Sequence, residues 1–593
     1  MGTCKDCSLG CTFRVPSLRT LRFGLWKYFM NSNWKSLAER KQADRAAAIK
    51  AGKEALVAYD EIFTTYSAAF LNATAVEIVD NIVGKREGWS AENVVATYIR
   101  RAIDAHAATN CLTEVFFLEA LEIARDLDKE FELTGKPKGP LHGLPVSFKD
   151  QFNVKGYDTT IGLTGRAYKP TSEDASLVAH VKAAGGIVFC KTNVSTTCNN
   201  PVFGRTTNPY SPLHIPGGSS GGEAALLACG GSALGFGSDL AGSLRFPAHM
   251  SGCFSLKFGQ GGRMSKNGMT MANEGYEAVR STAGPMARSI ADLRLACQTL
   301  CGLPGGPGEI APVPWREVIL PKKLKVGYYL RDDFAEFSPP VKRALRECVA
   351  ALEREGHECV EFLPPYALET METFVALGSS DGYKQLTSHL GPDPQDPSMF
   401  LVLLGPKIPA IIRTISCFVL RRFLGDQKFA ALVQALRVKS VRDFNRWVHR
   451  RNELVQKFHT EVWEKYGFDI ILGPVHSMPA LPHNATARLS PLAGTAILYS
   501  ILSLPAGVIP VTRVLPTDTW PEEPQDPGLR LLRGIMRRLY DPEKMAGLPI
   551  GVQVAGRPWE EEKVLEVMDL LDNALGPRGF GPGSWTPPTP TVD

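Results

Sequence analysis

Apolar positions along this chain follow a helical period up to about residue 140, and beyond it short strand-like runs alternate with helical ones. Residues 36–57 are charged and Ala-rich, which suits a solvated helix. Ser90 stands as an N-cap ahead of Val94, Val95, Tyr98, Ile99, Ala102 and Ile103, which form one apolar stripe. Residues 145–148 have the pattern of a short strand running into Lys149, 177–184 that of a helix stopped by Gly185 and Gly186, and 187–190 that of a buried strand. Farther on, 324–329, 341–355 and 359–363 spell strand, helix and strand. This order predicts an α/β fold with a mainly parallel sheet and helices on its faces.

Two stretches are apolar in another way. Residues 15–30 place Leu18, Leu21, Leu25, Trp26 and Phe29 at helical spacing, with Arg19, Arg22 and Lys27 on other faces. That pattern fits either a membrane-surface helix or one packed on the protein body. Residues 399–438 are broken by Gly405, Pro406 and Pro409 into pieces too short to span a bilayer. Ile412, Ile415, Val419 and Phe423 make one stripe, and Phe429, Leu432, Val433 and Leu436 another. Lys407, Arg413, Arg421, Arg422, Lys428 and Arg437 add positive charge. Two basic amphipathic helices joined by Gly425-Asp426 suit insertion into one leaflet; a buried hairpin or a homodimer face is the alternative.

No segment has the form of a secretory signal or of a transmembrane helix, so an intracellular, non-secreted protein is expected. Residues 516–546 have the composition of a surface insertion, and 576–593 that of a flexible Gly/Pro-rich tail. The expected organisation is an N-terminal region over 1–65, one catalytic domain over 66–575 and that tail.

Composition narrows the partners. The formal charge is +5 from 66 basic and 61 acidic residues, too small an excess over 593 residues to imply nucleic acid. The 13 cysteines are mostly scattered, which favours a reducing compartment. Cys4, Cys7 and Cys11 cluster but lack a fourth ligand, so no metal is expected, and no cofactor motif is present.

The chemistry concentrates in residues 217–247, GGSSGGEAALLACGGSALGFGSDLAGSLRFP. Two Gly/Ser-rich loops let the backbone approach a ligand and present N–H groups, as an oxyanion hole requires. A phosphate loop is excluded because no Gly-Lys-Ser/Thr closes it. Gly217-Gly218-Ser219-Ser220-Gly221 matches the nucleophile elbow of α/β-hydrolases, but that elbow needs a preceding strand. Residues 208–216 hold three prolines and cannot form a regular central strand, and only His476 or His483 could serve as a late triad histidine.

These loops resemble the amidase signature family, and within it the fatty acid amide hydrolases and fungal general amidases. The resemblance is carried by Leu144-Pro145-Val146-Ser147-Phe148-Lys149-Asp150, Lys191-Thr192-Asn193, the run from Pro216 to Glu223, the run from Ser238 to Pro247, Gly284-Pro285-Met286-Ala287-Arg288 and Leu504-Pro505-Ala506-Gly507. It implies a large twisted mixed, mainly parallel sheet covered by helices on both faces. It also implies a Ser–Ser–Lys triad: Ser243 attacks the amide carbonyl and Ser219 passes its proton to Lys149. The amides of Leu240, Ala241, Gly242 and Ser243 would form the oxyanion hole, with Ala241 standing where the family usually has glycine. Ser220, Asp239 and Arg245 would support the nucleophile from behind, and Cys198 would line the acyl site where the animal enzyme has methionine. Residues 399–438 would form a membrane-binding cap that draws a lipophilic amide from the bilayer.

The base must be neutral to accept a proton, so Lys149 has to titrate well below the ordinary value of about 10.4 for lysine, through burial. The alternative is an ordinary lysine paired with Asp150. A short-chain acetamidase-like enzyme, an esterase with Ser219 as nucleophile, and an amidotransferase subunit remain as rival functions.

Overall fold

The computed structural model describes residues 33–194, 199–259, 261–306, 309–391, 393–521 and 530–586. The stretch 15–30, Cys4, Cys7, Cys11 and Cys198 lie outside them.

The predicted elements form. Ser90 caps the helix Ala91–Thr109 by accepting from the Asn93 N–H. The helix Ser176–Ala183 ends at Gly185, whose φ of +90° needs a residue without Cβ. The strands are β1 Leu112–Val115, β2 Pro145–Lys149, β3 Ile187–Thr192, β4 Asn199–Asn200, β5 Gly204–Arg205, β6 Leu234–Asp239, β7 Phe254–Lys257, β8 Thr282–Ala287, β9 Lys325–Tyr328, β10 Glu358–Glu361, β11 Ile470–Pro474, β12 Ala506–Arg513 and β13 Pro549–Ala555. β4 and β5 make a small ribbon. Among the described residues the other eleven join one sheet, in the order β1-β3-β2-β6-β8-β7-β12-β13-β11-β9-β10.

The sheet is mixed, with parallel pairing in two blocks: β3-β2-β6 on one side and β11-β9-β10 on the other. The centre, from β6 through β8, β7, β12 and β13 to β11, is antiparallel. The local strand–helix–strand patterns foretell the blocks, whereas the centre comes from strands that return from far along the chain. Helices cover both faces. Along β3, Val188 enters the main core while Ile187 and Phe189 enter the core under the helices Ala91–Thr109 and Phe117–Thr134, as the two-residue period of a strand requires.

Three stretches differ from expectation. Residues 530–539 form the helix Arg530–Leu539, which buries Leu532 and Met536 and sends Arg533 and Arg537 to Glu336 at 3.0 and 3.5 Å. Its many arginines hide that apolar stripe from a composition reading. The tail is not loose as far as Trp585, which is 6% exposed, donates to the Pro209 carbonyl at 3.0 Å and lies under the Arg101 guanidinium.

In 399–438 the two stripes part company. The helix Ala410–Arg422 presents its stripe to solvent, with Ile412 51% and Ile415 59% exposed, and Phe423 just beyond it at 72%. The helix Gln427–Ala435 turns Ala430, Leu432 and Ala435 inward. Arg413 is not a surface cation. It is buried, and its guanidinium donates to the carbonyls of Val433, Leu436, Gly405 and Ile408, closing the ends that the Gly-Pro breaks leave open. No single helix among the described residues is long and apolar enough to cross a membrane; Phe400–Lys407 and Ala410–Arg422 reach that length and composition only as a pair bent by 120°.

Candidate active site

Lys149 closes β2, between the parallel neighbours β3 and β6, so three strands end side by side beneath the Gly/Ser loops. Its side chain is fully buried, with Nζ 2.7 Å from Ser219 Oγ and 2.9 Å from Ser238 Oγ. Ser238 Oγ in turn donates to Gln151 Oε1 at 2.6 Å, so its proton is committed away from the lysine.

The two glycines before Ser219 are there because backbones meet. A Cβ on Gly217 would lie 2.3 Å from Pro247 Cα, and one on Gly218 would lie 3.3 Å from Ser243 Cα. The Ser220 N–H donates to the Ser243 carbonyl at 3.3 Å, and Gly222 packs on the backbone of Asn193. The loop carrying Ser219 is thereby laid against the loop carrying Ser243. Both serines remain partly accessible while Lys149 behind them is sealed.

The loop 240–243 is held from below by Asp239. Its carboxylate accepts from the Gly242 N–H at 2.7 Å, the Leu244 N–H at 3.3 Å, and Arg245 Nε and Nη2 at 2.9 and 3.1 Å. Arg245, equally buried, also donates to the Ala496 carbonyl, Gln553 and Ser500. Burial alone would raise the Asp239 titration; the Arg245 charge and hydrogen bonds, with Lys257 and the Gly242 N–H, outweigh it and bring Asp239 to about 2. Lys257, buried between the Phe258 and Leu504 carbonyls, is lowered to about 7 by desolvation and then by Arg245.

This corrects one expectation. The Gly242 amide is spent on Asp239 and shapes the loop instead of facing a substrate. Its φ of +116° and the Phe246 ring, 2.4 Å from where a Cβ would lie, require glycine. Among the described residues the amides of Leu240, Ala241 and Ser243 make no hydrogen bond to the chain. Ser220 contributes its backbone N–H and a long contact from its hydroxyl to the Ser238 carbonyl.

The rival arrangements lose their parts. Asp150 pairs with Lys191 at 2.7 Å and accepts from Thr160. Residues 208–216 form only isolated bridges ahead of Ser219. His476 engages the backbone of Met478, and His483 the carbonyl of Pro212. Sequence reasoning missed Gln151 and left Ser238 without a role, although Ser238 lies in the quoted motif.

The family described as Amidase is matched over residues 93–565. The chain belongs to the amidase family. It is 34% identical to Amidase 1 of Gibberella moniliformis over 512 residues, covering 82% of this chain and 90% of that protein. It is 33% identical to Fatty-acid amide hydrolase 1 of Sus scrofa, covering 82% and 83%. A solved Fatty acid amide hydrolase superposes with a TM-score of 0.79 at 27% identity, over 93% of this chain and 96% of that one. This amidase is therefore an amide-hydrolysing enzyme with the mixed, helix-covered sheet of its family.

Proposed function

We propose that this amidase cleaves lipophilic carboxylic amides through a Ser243–Ser219–Lys149 triad. The observation that carries the triad is the 2.7 Å contact between the buried Lys149 Nζ and Ser219 Oγ, beneath a loop that abuts Ser243. Neutral Lys149 draws the proton of Ser219, which draws that of Ser243. The Ser243 oxygen then adds to the amide carbon, and the carbonyl oxygen takes on negative charge. The amides of Leu240, Ala241 and Ser243, which have no hydrogen-bond partner among the described residues, would take up that charge, and preorganised donors of this kind are worth about 10²–10³-fold each in rate. The proton returns through Ser219 to the leaving nitrogen, the C–N bond breaks, and an ester remains on Ser243. Water adds to that ester with Lys149 again accepting the proton; the bond to the Ser243 oxygen then breaks, that oxygen takes the proton back through Ser219, and the acid is freed.

The lipophilic part of the reading is supported by the solvent-facing stripe of Ala410–Arg422 and by the relative named for fatty acid amides. Ile411, Ile415, Phe418 and Phe423, flanked by exposed Lys407, Arg421 and Arg422, suit one leaflet of a membrane surface. The second reading is a general short-chain amidase, supported by a 30% identity to the Acetamidase of Aspergillus oryzae. A series of primary amides and ethanolamides of increasing acyl length, measured with and without vesicles, separates them. We expect kcat/KM to rise with chain length and vesicles to increase the gain. A higher value for acetamide overturns the lipid assignment and leaves the triad standing.

A further inference from the structure

Directly beneath the site lies a buried acid that the mechanism above does not use. Glu223, on the helix Gly221–Ala228, is fully buried and reaches back under the three parallel strands that end at Lys149. Its Oε2 accepts from Thr192 Oγ1 at 2.7 Å, and Thr192 is the β3 residue in register with Lys149. Its Oε1 contacts Ser147 Oγ on β2. On β6, Gly235 leaves the room: a Cβ there would be 2.0 Å from Glu223 Oε1. One carboxyl group therefore bonds to β2 and β3 and packs against β6.

The hydrogen bonds around it can be counted. Ser147 Oγ contacts Glu223 Oε1 and, at 2.9 Å, Ser232 Oγ; Ser232 Oγ contacts the Leu234 carbonyl at 2.9 Å. These are three oxygen–oxygen contacts, each needing one proton, and the two hydroxyls supply two. The carbonyl has none to give. The third proton belongs on Glu223, which then donates to Ser147, Ser147 to Ser232, and Ser232 to Leu234, while Thr192 donates separately.

We infer that Glu223 is a positioning residue for Lys149: a protonated carboxyl group that fixes the three strand ends under the lysine without adding a negative charge beside it. This rests on Lys149 being the base. The titratable groups facing Glu223 are Lys149 on β2 and the thiols of Cys111, Cys190 and Cys253. Burial holds all three thiols protonated, so Lys149 is the neighbour whose charge would respond. Burial, the largest influence on it, also raises Glu223 itself to about 7. An ionised Glu223 would favour the ammonium form of Lys149 and move the acid limb of the rate profile to higher pH.

The test is a set of pH–rate profiles on a soluble short amide for the wild type, Glu223→Ala, Glu223→Gln and Lys149→Ala, with folding checked by thermal melting. Glu223→Ala is expected to lower kcat about 10²-fold, the scale of a 1 Å misplacement, with KM little changed. Glu223→Gln, whose amide keeps one donor and one acceptor, is expected to recover most of that loss with the acid limb where it stands in the wild type. An acid limb in Glu223→Gln displaced by about one unit to lower pH would mean that a negative charge had been removed, and would overturn the inference. A wild-type kcat in Glu223→Ala would overturn it as well. If Glu223→Ala does not fold, the Gln profile still decides. A near-normal rate in Lys149→Ala would instead remove the base assignment, a different failure.

Discussion

The region beneath the Gly/Ser loops and the helix Ala410–Arg422 both invert the usual placement of polarity, in opposite senses. Beneath the loops, Lys149, Asp150, Lys191, Asp239 and Arg245 are buried completely. On the helix, Ile411 and its neighbours face solvent. An uncompensated buried ion costs several kcal/mol, and an exposed side chain of isoleucine size forgoes about 1.5–3 kcal/mol of burial. The two cases differ in where the compensation lies. Arg245 gives its donors to Asp239, Ala496, Gln553 and Ser500, all within the chain. Among the described residues the exposed stripe has no such internal partner, and that difference is the ground for proposing an external apolar phase at the helix alone.

The largest effects are expected in the core. Ser243→Ala is expected to abolish turnover and acylation with the melting temperature unchanged. Lys149→Ala should lose about 10²–10⁴-fold in kcat and recover part of it at high pH, where the solvent supplies a base. Asp239→Asn strands the Arg245 guanidinium, so chemical denaturation should show a loss of about 3–5 kcal/mol. The sign of its pH dependence is fixed. Asp239 is held at about 2 in the fold. Its stabilisation is therefore complete above the ordinary carboxylate value of about 3.9 and is lost as pH falls through 2, and the Asn variant should lack that acid dependence.

Sharpening the other side calls for a milder change. Ile415→Glu with Phe423→Glu should reduce vesicle binding roughly tenfold or more and slow a lipophilic amide more than acetamide. Equal slowing of both substrates would place the helix in the catalytic body and not at a surface. A last effect concerns Glu223, raised to about 7 by burial. Between about pH 4.3 and 7 the fold retains a proton that the unfolded chain has released, so stability falls as pH rises through that window. Thermal melts across it should flatten in Glu223→Gln.

The sequence makes the local features readable and leaves the distant ones hidden. The Ser90 cap, the strand–helix–strand unit ending at β10 and the lack of a strand before Ser219 are each written within a few residues. The antiparallel centre joins β7 to β12, some of whose partners lie about 250 positions apart, and no period in the sequence announces such a pairing. The roles of Arg413, Ser238 and Glu223 likewise depend on what folding brings to them. Arg413 looks like surface charge until the carbonyls around the Gly405 and Pro409 breaks converge on it. The Gly242 amide, read from the motif as a substrate donor, is claimed by Asp239 only three residues away.

The nucleophile is tested most directly by mapping a fluorophosphonate adduct. Ser219 and Ser243 fall in the same tryptic peptide, 206–245, so fragmentation within it must locate the label. The phosphonyl group is expected on Ser243, with none on the Ser243→Ala protein. A label on Ser219 in the wild type would contradict it.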